Sequence, residues 1–213
     1  MNYRITGEGK NGIRKGWCRM DRLEQQMKFI LEVDKLKQIT RQSYITGASR
    51  KETDTDHSWH LALMCALLSE YSNEKIDVLK TMVMVLIHDI VEIDAGDTYA
   101  YDAVGNESKR EREVKAAERI FHLLPEDQAQ YLRDLWEEFE AQDTPEAKFA
   151  NTLDKIQPVM LNDATGGLAW REHEVKKSQV MGRNEKTHEG SEQLWEFTRK
   201  IIERNVGTNI SEE

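Results

Sequence analysis

The most reactive side chains in this sequence are His57, the adjacent pair His88-Asp89, and Asp154. Each stands in an apolar setting: HSWHLALMCALL, MVLIHDIVEIDAGD and NTLDKIQPVM. An aspartate flanked by Leu153, Ile156, Val159 and Met160 would ordinarily be expelled to the surface, because an uncompensated buried charge is costly. Two imidazoles and two carboxylates converging from three helices would instead form a divalent-cation site, with the cation compensating each negative charge. A nitrogen and oxygen donor set without thiolate suits Mn, Co, Fe, Zn or Mg, and the sequence does not choose among them.

Taken singly, each residue has a plainer reading. A His-Asp dipeptide alone is a weak signal. His88 could cap its own helix as an imidazolium, Asp154 could pair with Lys155 or Arg171, and His60 is either a rival ligand or a solvated residue. The acidic stretch after His88 could be a hydrated turn, and Asp94 within it has no assigned task. These alternatives explain single residues but not the set.

The elements that must position them are helical. Apolar periodicity predicts a helix from Asp21 through Leu23, Met27, Ile30, Leu31, Leu36 and Ile39. Thr55 or Asp56 is placed to cap the next, through HSWHLALMCALLSEY. Further helices are expected over 76–92, over SKREREVKAAERIFHLL, from Pro125 with Leu132, Leu135, Trp136 and Phe139 inward, over 144–162 with an interruption at Pro158, and around Glu192–Arg204. Residues 93–107 read as a long loop, a usual place for a site, and Gly166, Gly167 and Gly182 mark another. Trp59, Trp136, Trp170 and Trp195 read as core or interface residues, and His173 and His188 as loop residues bordering a pocket at most.

The chain has 213 residues with only three prolines and twelve glycines, and no Pro/Gly/Ser-rich linker divides it. We expect an all-α, single-domain helical bundle, with 1–20 an N-terminal extension, 21–205 the domain and 206–213 a C-terminal tail. The net charge of −9 argues against a surface that coats nucleic acid, but not against a small phosphorylated substrate. No apolar run approaches the roughly 20 residues needed to cross a bilayer. The first residues lack the apolar core of a signal peptide, so a cytoplasmic protein is expected. Cys18 and Cys65 form no redox or metal pattern, and Cys65 reads as a core residue.

The ordered set His57, His88-Asp89, Asp154, with Glu92 and Asp97 following the pair, resembles the HD superfamily of metal-dependent phosphohydrolases. More narrowly, DHSWHLALMCALL, LIHDIVEIDAGD and NTLDKIQPVMLN are similar to its 5'-deoxynucleotidase-like branch, over roughly Arg22 to Arg204. The resemblance implies that His57, His88, Asp89 and Asp154 are metal ligands. It implies that Glu92 orients or deprotonates the attacking water, that Asp97 contacts the sugar side of a nucleotide, and that Arg41 holds the phosphate, with Arg50 the competitor. Many relatives follow that arginine closely with a tryptophan. This chain has Gln42 and Ser43, which leaves base and sugar recognition open.

These residue types suit the implied chemistry. A divalent cation held by three or four side chains keeps a position open, polarises a phosphoryl group and lowers the pKa of bound water. Glu92 shares a helix face with His88 if the helix persists that far, and Gly96 permits a tight turn that aims Asp97. Arg41 offers a planar fork for phosphate. The expectation is hydrolysis of a nucleoside 5'-monophosphate, a deoxynucleotide foremost, by water and without a covalent phosphoenzyme. Rivals are a nucleoside triphosphate, cyclic nucleotide or alarmone as substrate, or a nucleotide-binding sensor with little turnover. The expected partners are a small nucleotide, no nucleic acid polymer, no membrane, and by analogy a second copy in a homodimer.

Overall fold

The computed structural model describes residues 21–213, so the expected N-terminal extension, with Cys18, lies outside the described residues. α1 (Arg22–Val33) starts at a capping box of Asp21 and Glu24 and gives way to a 3-10 turn, Asp34–Gln38. Here the chain departs from the single helix its periodicity predicts. Thr40–Tyr44 (β1) and Lys51–Thr53 (β2) form an antiparallel hairpin, whose turn holds Gly47 and Ala48 at φ +87° and +56°. The pleat sends alternate residues inward: Arg41 and Ser43 from β1, Glu52 from β2. The rest is helical, so the all-α class stands.

α2 (Asp54–Leu68) follows directly, its first turn closed by Thr53 and Asp56. His57, Leu61, Met64 and Cys65 recur at helical spacing and are buried on one face. α3 (Val78–Ile87) is capped by Asp77, whose side chain accepts from Lys80 N–H. The chain turns over residues 88–91 and enters α4 (Glu92–Ala95). The long loop expected next contains a short helix, α5 (Ala103–Glu107). α6 (Lys109–Phe121) and α7 (Glu126–Ala141) follow.

α8 (Pro145–Ala164) is the central element and packs against α2, α3 and α7 and against the later helices Thr187–Gly190 and Glu192–Asn205. The interruption expected at Pro158 does not occur; the helix runs through it. Proline here forfeits the one N–H that would bond the carbonyl of residue 154, and burial of Leu153, Ile156, Val159 and Leu161 along the same helix outweighs that loss. Burying side chains of that size is worth about 1.5–3 kcal/mol each.

α9 (Leu168–Glu172), α10 (Lys177–Arg183), α11 (Thr187–Gly190) and α12 (Glu192–Asn205) complete the fold. Val159, Trp170, Val175, Val180, Ile201 and Ile202 form a second core cluster with Ile210. Ile210 belongs to the expected tail, which is therefore packed in at its start. Trp136 is in the main core beneath the guanidinium groups of Arg110 and Arg133, 4.5 and 5.3 Å from its ring. Trp59 is exposed, and Cys65 is free and fully buried.

Gly190 lies where α11 meets α8. A Cβ there would press on the Lys148 carbonyl oxygen and lie 2.5 Å from Thr152 Oγ1. Gly190→Ala is expected to destabilise the fold by about 1–3 kcal/mol, read from the urea unfolding midpoint. Gly182→Ala, with no atom within 4 Å of its Cβ, is expected to be neutral or slightly stabilising.

Candidate functional site

His57, in the first turn of α2, is fully buried. Its Nδ1–H donates to Gln157 Oε1 at 3.1 Å, and that amide is itself oriented by Nε2–H donation to Glu52 Oε1 at 2.5 Å. Burial first, then the nearby Arg41, lowers the His57 pKa to about 4, so the ring is neutral. Its single proton is on Nδ1, and the Nε2 lone pair therefore faces Asp154 Oδ1 at 3.0 Å, acceptor against acceptor.

His88 repeats the arrangement from another direction. It follows the last residue of α3, and its Nδ1–H donates to the Val85 carbonyl at 2.8 Å. Its Nε2 lies 3.1 Å from Asp89 Oδ1 and 3.7 Å from Asp154 Oδ1, yet it is a buried atom with no hydrogen-bond partner. Nitrogen ligand atoms of His57 and His88 and an oxygen of Asp154 lie within 4.8 Å of one another. The four residues expected as ligands are thus brought together. Ligand atoms of His57, His88 and Asp154 share one point, Asp89 adjoins it through His88, and a cation suits that donor set. His60 stands behind this ring, its Nδ1 3.3 Å from Gln157 Nε2, and is no rival ligand.

A second acidic group abuts the first. Carboxylate oxygens of Asp54, Asp89 and Glu92 also lie within 4.8 Å of one another. Arg41 answers part of this charge: Nη1 donates to Asp89 Oδ2 at 2.7 Å and to Asp54 Oδ1 at 3.2 Å. Arg50 instead points outward onto Asp56 at 2.6 Å. Of the two arginines, Arg41 alone borders the cleft. Glu92 reaches the site by a route its spacing does not suggest. α3 stops at Ile87, and the turn over 88–91, with Glu92 N–H donating to the Asp89 carbonyl at 2.9 Å, swings the side chain in beside Asp54 and Asp89. Gly96, at φ +75°, makes the expected bend, and Asp97 lines the cleft. Asp94 faces away and binds Arg119, Oδ1 to Nη2 at 2.8 Å.

The proton affinities of these groups follow from the same crowding. Burial opposes a charged His88, but the carboxylates of Asp89 and Asp154 outweigh it and raise its pKa to about 10. Burial would raise Asp154 too, yet the two imidazoles hold it well below the usual carboxylate range. Burial, then Asp89 and Asp54, push Glu92 well above its ordinary value. Burial also lifts Glu52 and Asp54 to about 7. Each raised carboxylate is one that a bound cation would favour in its charged form.

A cleft opens from this cluster between the α4–α6 side and the α8–α10 side, with Glu92, Asp97, Lys109, Asp154, Lys155 and Arg183 on its walls. Tyr99 and Tyr101 line it further out, and the Tyr99 ring is 4.5 Å from that of His173. His173 Nε2 in turn lies 3.2 Å from Gln42 Oε1, so of the two late-loop histidines it is His173 that borders the mouth. Glu52, Asp54, Gln157, Lys109 and Arg183 are site residues the sequence did not single out. The alternation in KETD was a signal for the first two, since Glu52 and Asp54 are the buried members. Nothing in its own sequence sets Lys109 apart from other lysines of a charged helix.

A family model described as HD domain matches residues 33–195. A crystal structure of a predicted metal-dependent phosphohydrolase from Magnetospirillum magnetotacticum superposes with a TM-score of 0.83 at 45% identity, covering 86% of this chain and 92% of that one. The human 5'-deoxynucleotidase HDDC2 is 31% identical over 135 residues, 63% of this chain and 65% of the relative. Its Xenopus laevis counterpart is 33% identical over 63% of this chain and 66% of its own. The chain thus spans just under two thirds of the length of the curated relatives it matches.

Gln157→Leu should release the His57 Nδ1–H while leaving every ligand in place. Metal affinity is expected to fall about ten- to a hundredfold, measured by titrating chelator-stripped protein. Asp154→Asn should abolish stoichiometric metal in elemental analysis, and unchanged occupancy would count against this site.

Proposed function

The chain belongs to the HD domain family, and from that premise we propose that it is a metal-dependent phosphomonoesterase converting nucleoside 5'-monophosphates, deoxynucleotides foremost, to nucleoside and inorganic phosphate. The observation that carries this reading is the pair of imidazole Nε2 atoms turned onto aspartate oxygens, His57 onto Asp154 at 3.0 Å and His88 onto Asp89 at 3.1 Å with no hydrogen bond of its own, at the floor of a cleft that also holds Glu92. The names of the Magnetospirillum and vertebrate relatives support it.

In this reading His57, His88, Asp89 and Asp154 hold a divalent cation, one of Mn, Co, Fe, Zn or Mg. When bound, it supplies Lewis-acid polarisation of the phosphoryl group and a water of lowered pKa. The protein's own groups do the rest. Gln157 and the Val85 carbonyl fix both imidazole tautomers. Arg41 holds Asp89 in place through Nη1 and presents the remainder of its fork to the phosphate. Glu92 takes the proton of the attacking water, whose oxygen bonds to phosphorus as the P–O ester bond breaks. The leaving 5' oxygen picks up a proton and departs as the nucleoside. Asp97, on the cleft wall beyond Glu92, accepts from a sugar hydroxyl.

We further infer a cytoplasmic homodimer. α1 buries none of its residues, and Leu23, Met27, Ile30 and Leu31 stand exposed, as do Trp59, Leu63 and Leu67 at i, i+4 and i+8 on α2. Among the described residues, no helix is long and apolar enough to cross a membrane.

Protein stripped with chelator and reloaded with each of the five metals is to be assayed for phosphate release from nucleoside mono- and triphosphates and for opening of cyclic nucleotides. Release from monophosphates under at least one metal is expected. Turnover confined to triphosphates or cyclic nucleotides would overturn the substrate reading, and tight binding without turnover under every metal would point to a sensor. Glu92→Gln should retain full metal content and lose about a hundred- to ten-thousandfold in kcat.

A further inference from the structure

Each described arginine but one makes a side-chain hydrogen bond. Arg22, Arg50, Arg110, Arg119, Arg133, Arg199 and Arg204 bind carboxylates on the surface, Arg112 and Arg171 bind oxygens of nearby residues, and Arg41 is committed to Asp89 and Asp54. Arg183, the last residue of α10, makes none among the described residues. It is not a free surface side chain either. It is only partly exposed and lines the cleft, and the nearest carboxylate oxygen is Asp154 Oδ2 at 3.9 Å.

Its backbone is firmly placed. Val180 is fully buried in the second core cluster, and Asn184 is buried with its Nδ2–H donating to the Val180 carbonyl at 2.9 Å. A guanidinium held at a cleft wall without a hydrogen-bond partner is prepared for an anion that arrives from outside.

The surrounding geometry says where that anion goes. The two aspartates of the cluster are used alike. Asp89 turns Oδ1 to His88 and Oδ2 to Arg41, 3.1 and 2.7 Å away. Asp154 turns Oδ1 to His57 and Oδ2 toward Arg183, 3.0 and 3.9 Å away. One arginine thus stands beyond each aspartate of the cation cluster. Arg41 is hydrogen-bonded to carboxylates, whereas Arg183 meets Asp154 only at 3.9 Å. Lys109, the cation on the α6 wall, is drawn to Glu113 at 3.4 Å. A phosphate dianion entering a cleft walled by Glu92, Asp97 and Asp154 needs positive charge that is not already spent on protein carboxylates.

We propose that Arg183 is a substrate-binding residue that grips the phosphate from the α10 side. This inference rests on the phosphomonoesterase reading and adds a residue to it. Arg183 meets the same phosphate oxygens in ground and transition state, so its loss acts on KM more than on kcat.

The test compares Arg183→Gln, Arg183→Lys and, as a control for the mere loss of nearby positive charge, Lys186→Gln, which is exposed and outside the cleft. Inorganic phosphate is titrated calorimetrically into metal-loaded protein, and KM and kcat are measured with a nucleoside monophosphate. Expected for Arg183→Gln is a rise of about tenfold or more in both phosphate Kd and KM, with kcat changed far less, metal content intact and the circular dichroism spectrum unaltered. Arg183→Lys should fall between it and wild type, because the charge remains and the fork is lost. Unchanged Kd and KM would overturn the proposal. So would equal losses in Lys186→Gln, which would make the effect a diffuse field, or loss of metal from both Arg183 variants, which would make Arg183 a support for Asp154. If the wild type turns over no monophosphate but loses phosphate binding in Arg183→Gln alone, the phosphate site stands and the assigned substrate fails. If the wild type turns over monophosphates and Arg183→Gln matches it, the converse holds.

Discussion

The structure depends on one electrostatic constraint: a group of carboxylates crowded around two buried imidazoles. Asp54, Asp89, Glu92 and Asp154 lie too close together to be charged without compensation. The protein supplies part of that compensation from Arg41 and from His88. It also denies the histidines a second role, because Gln157 and the Val85 carbonyl take both Nδ1 protons and leave both Nε2 atoms facing oxygen. What remains uncompensated is a slot for a cation.

The scaffold follows from the need to bring those groups together without moving parts. α8 crosses the centre and contributes Asp154 and Gln157 one turn apart, so a single helix both binds and orients. α2 must begin just before His57, and its capping box with Thr53 and Asp56 sets that start. α3 must end at His88, since a continued helix would carry Glu92 away from Asp54. The hairpin ahead of α2 delivers Arg41 and Glu52, and α2 opens with Asp54; Arg41 bonds Asp54 and the ligand Asp89, and Glu52 orients Gln157.

The two sides of the cleft are unequal. The wall from β1 to α4 is densely bonded, and its arginine already pairs with Asp54 and Asp89 through Nη1. The wall from α9 and α10 is anchored by an apolar cluster of its own, with Trp170, Val180 and Ile202, and presents Arg183, whose nearest carboxylate is 3.9 Å away. The first kind of wall is built to keep a cation in one geometry. The second is free to exchange partners, as a wall that takes up and releases an anionic molecule must be.

Much of this was legible in the residues. Periodicity placed α2, α3, α6, α7, α8 and α12, because a buried helical face repeats with the pitch of the helix whatever it packs against. The set His57, His88-Asp89, Asp154 was legible because each ligand interrupts an apolar run that would otherwise exclude it. Gly96 before Asp97 was legible as a local conformational demand, met at φ +75°. Other features had no local signature. TRQSY carries no strand pattern strong enough to break a helical reading, and Pro158 sits in α8 only because burial along that helix outweighs one missing hydrogen bond. Glu92 is in the site through a turn rather than through a shared helix face. Arg183 looks like any arginine until its lack of a side-chain hydrogen bond can be seen. Sequence alone determined which faces are buried and which residues resist burial, since both are properties of neighbours along the chain. The pairing of those residues across the chain, and the one described arginine without a side-chain hydrogen bond, depend on distances between distant segments, and only the tertiary structure decided them.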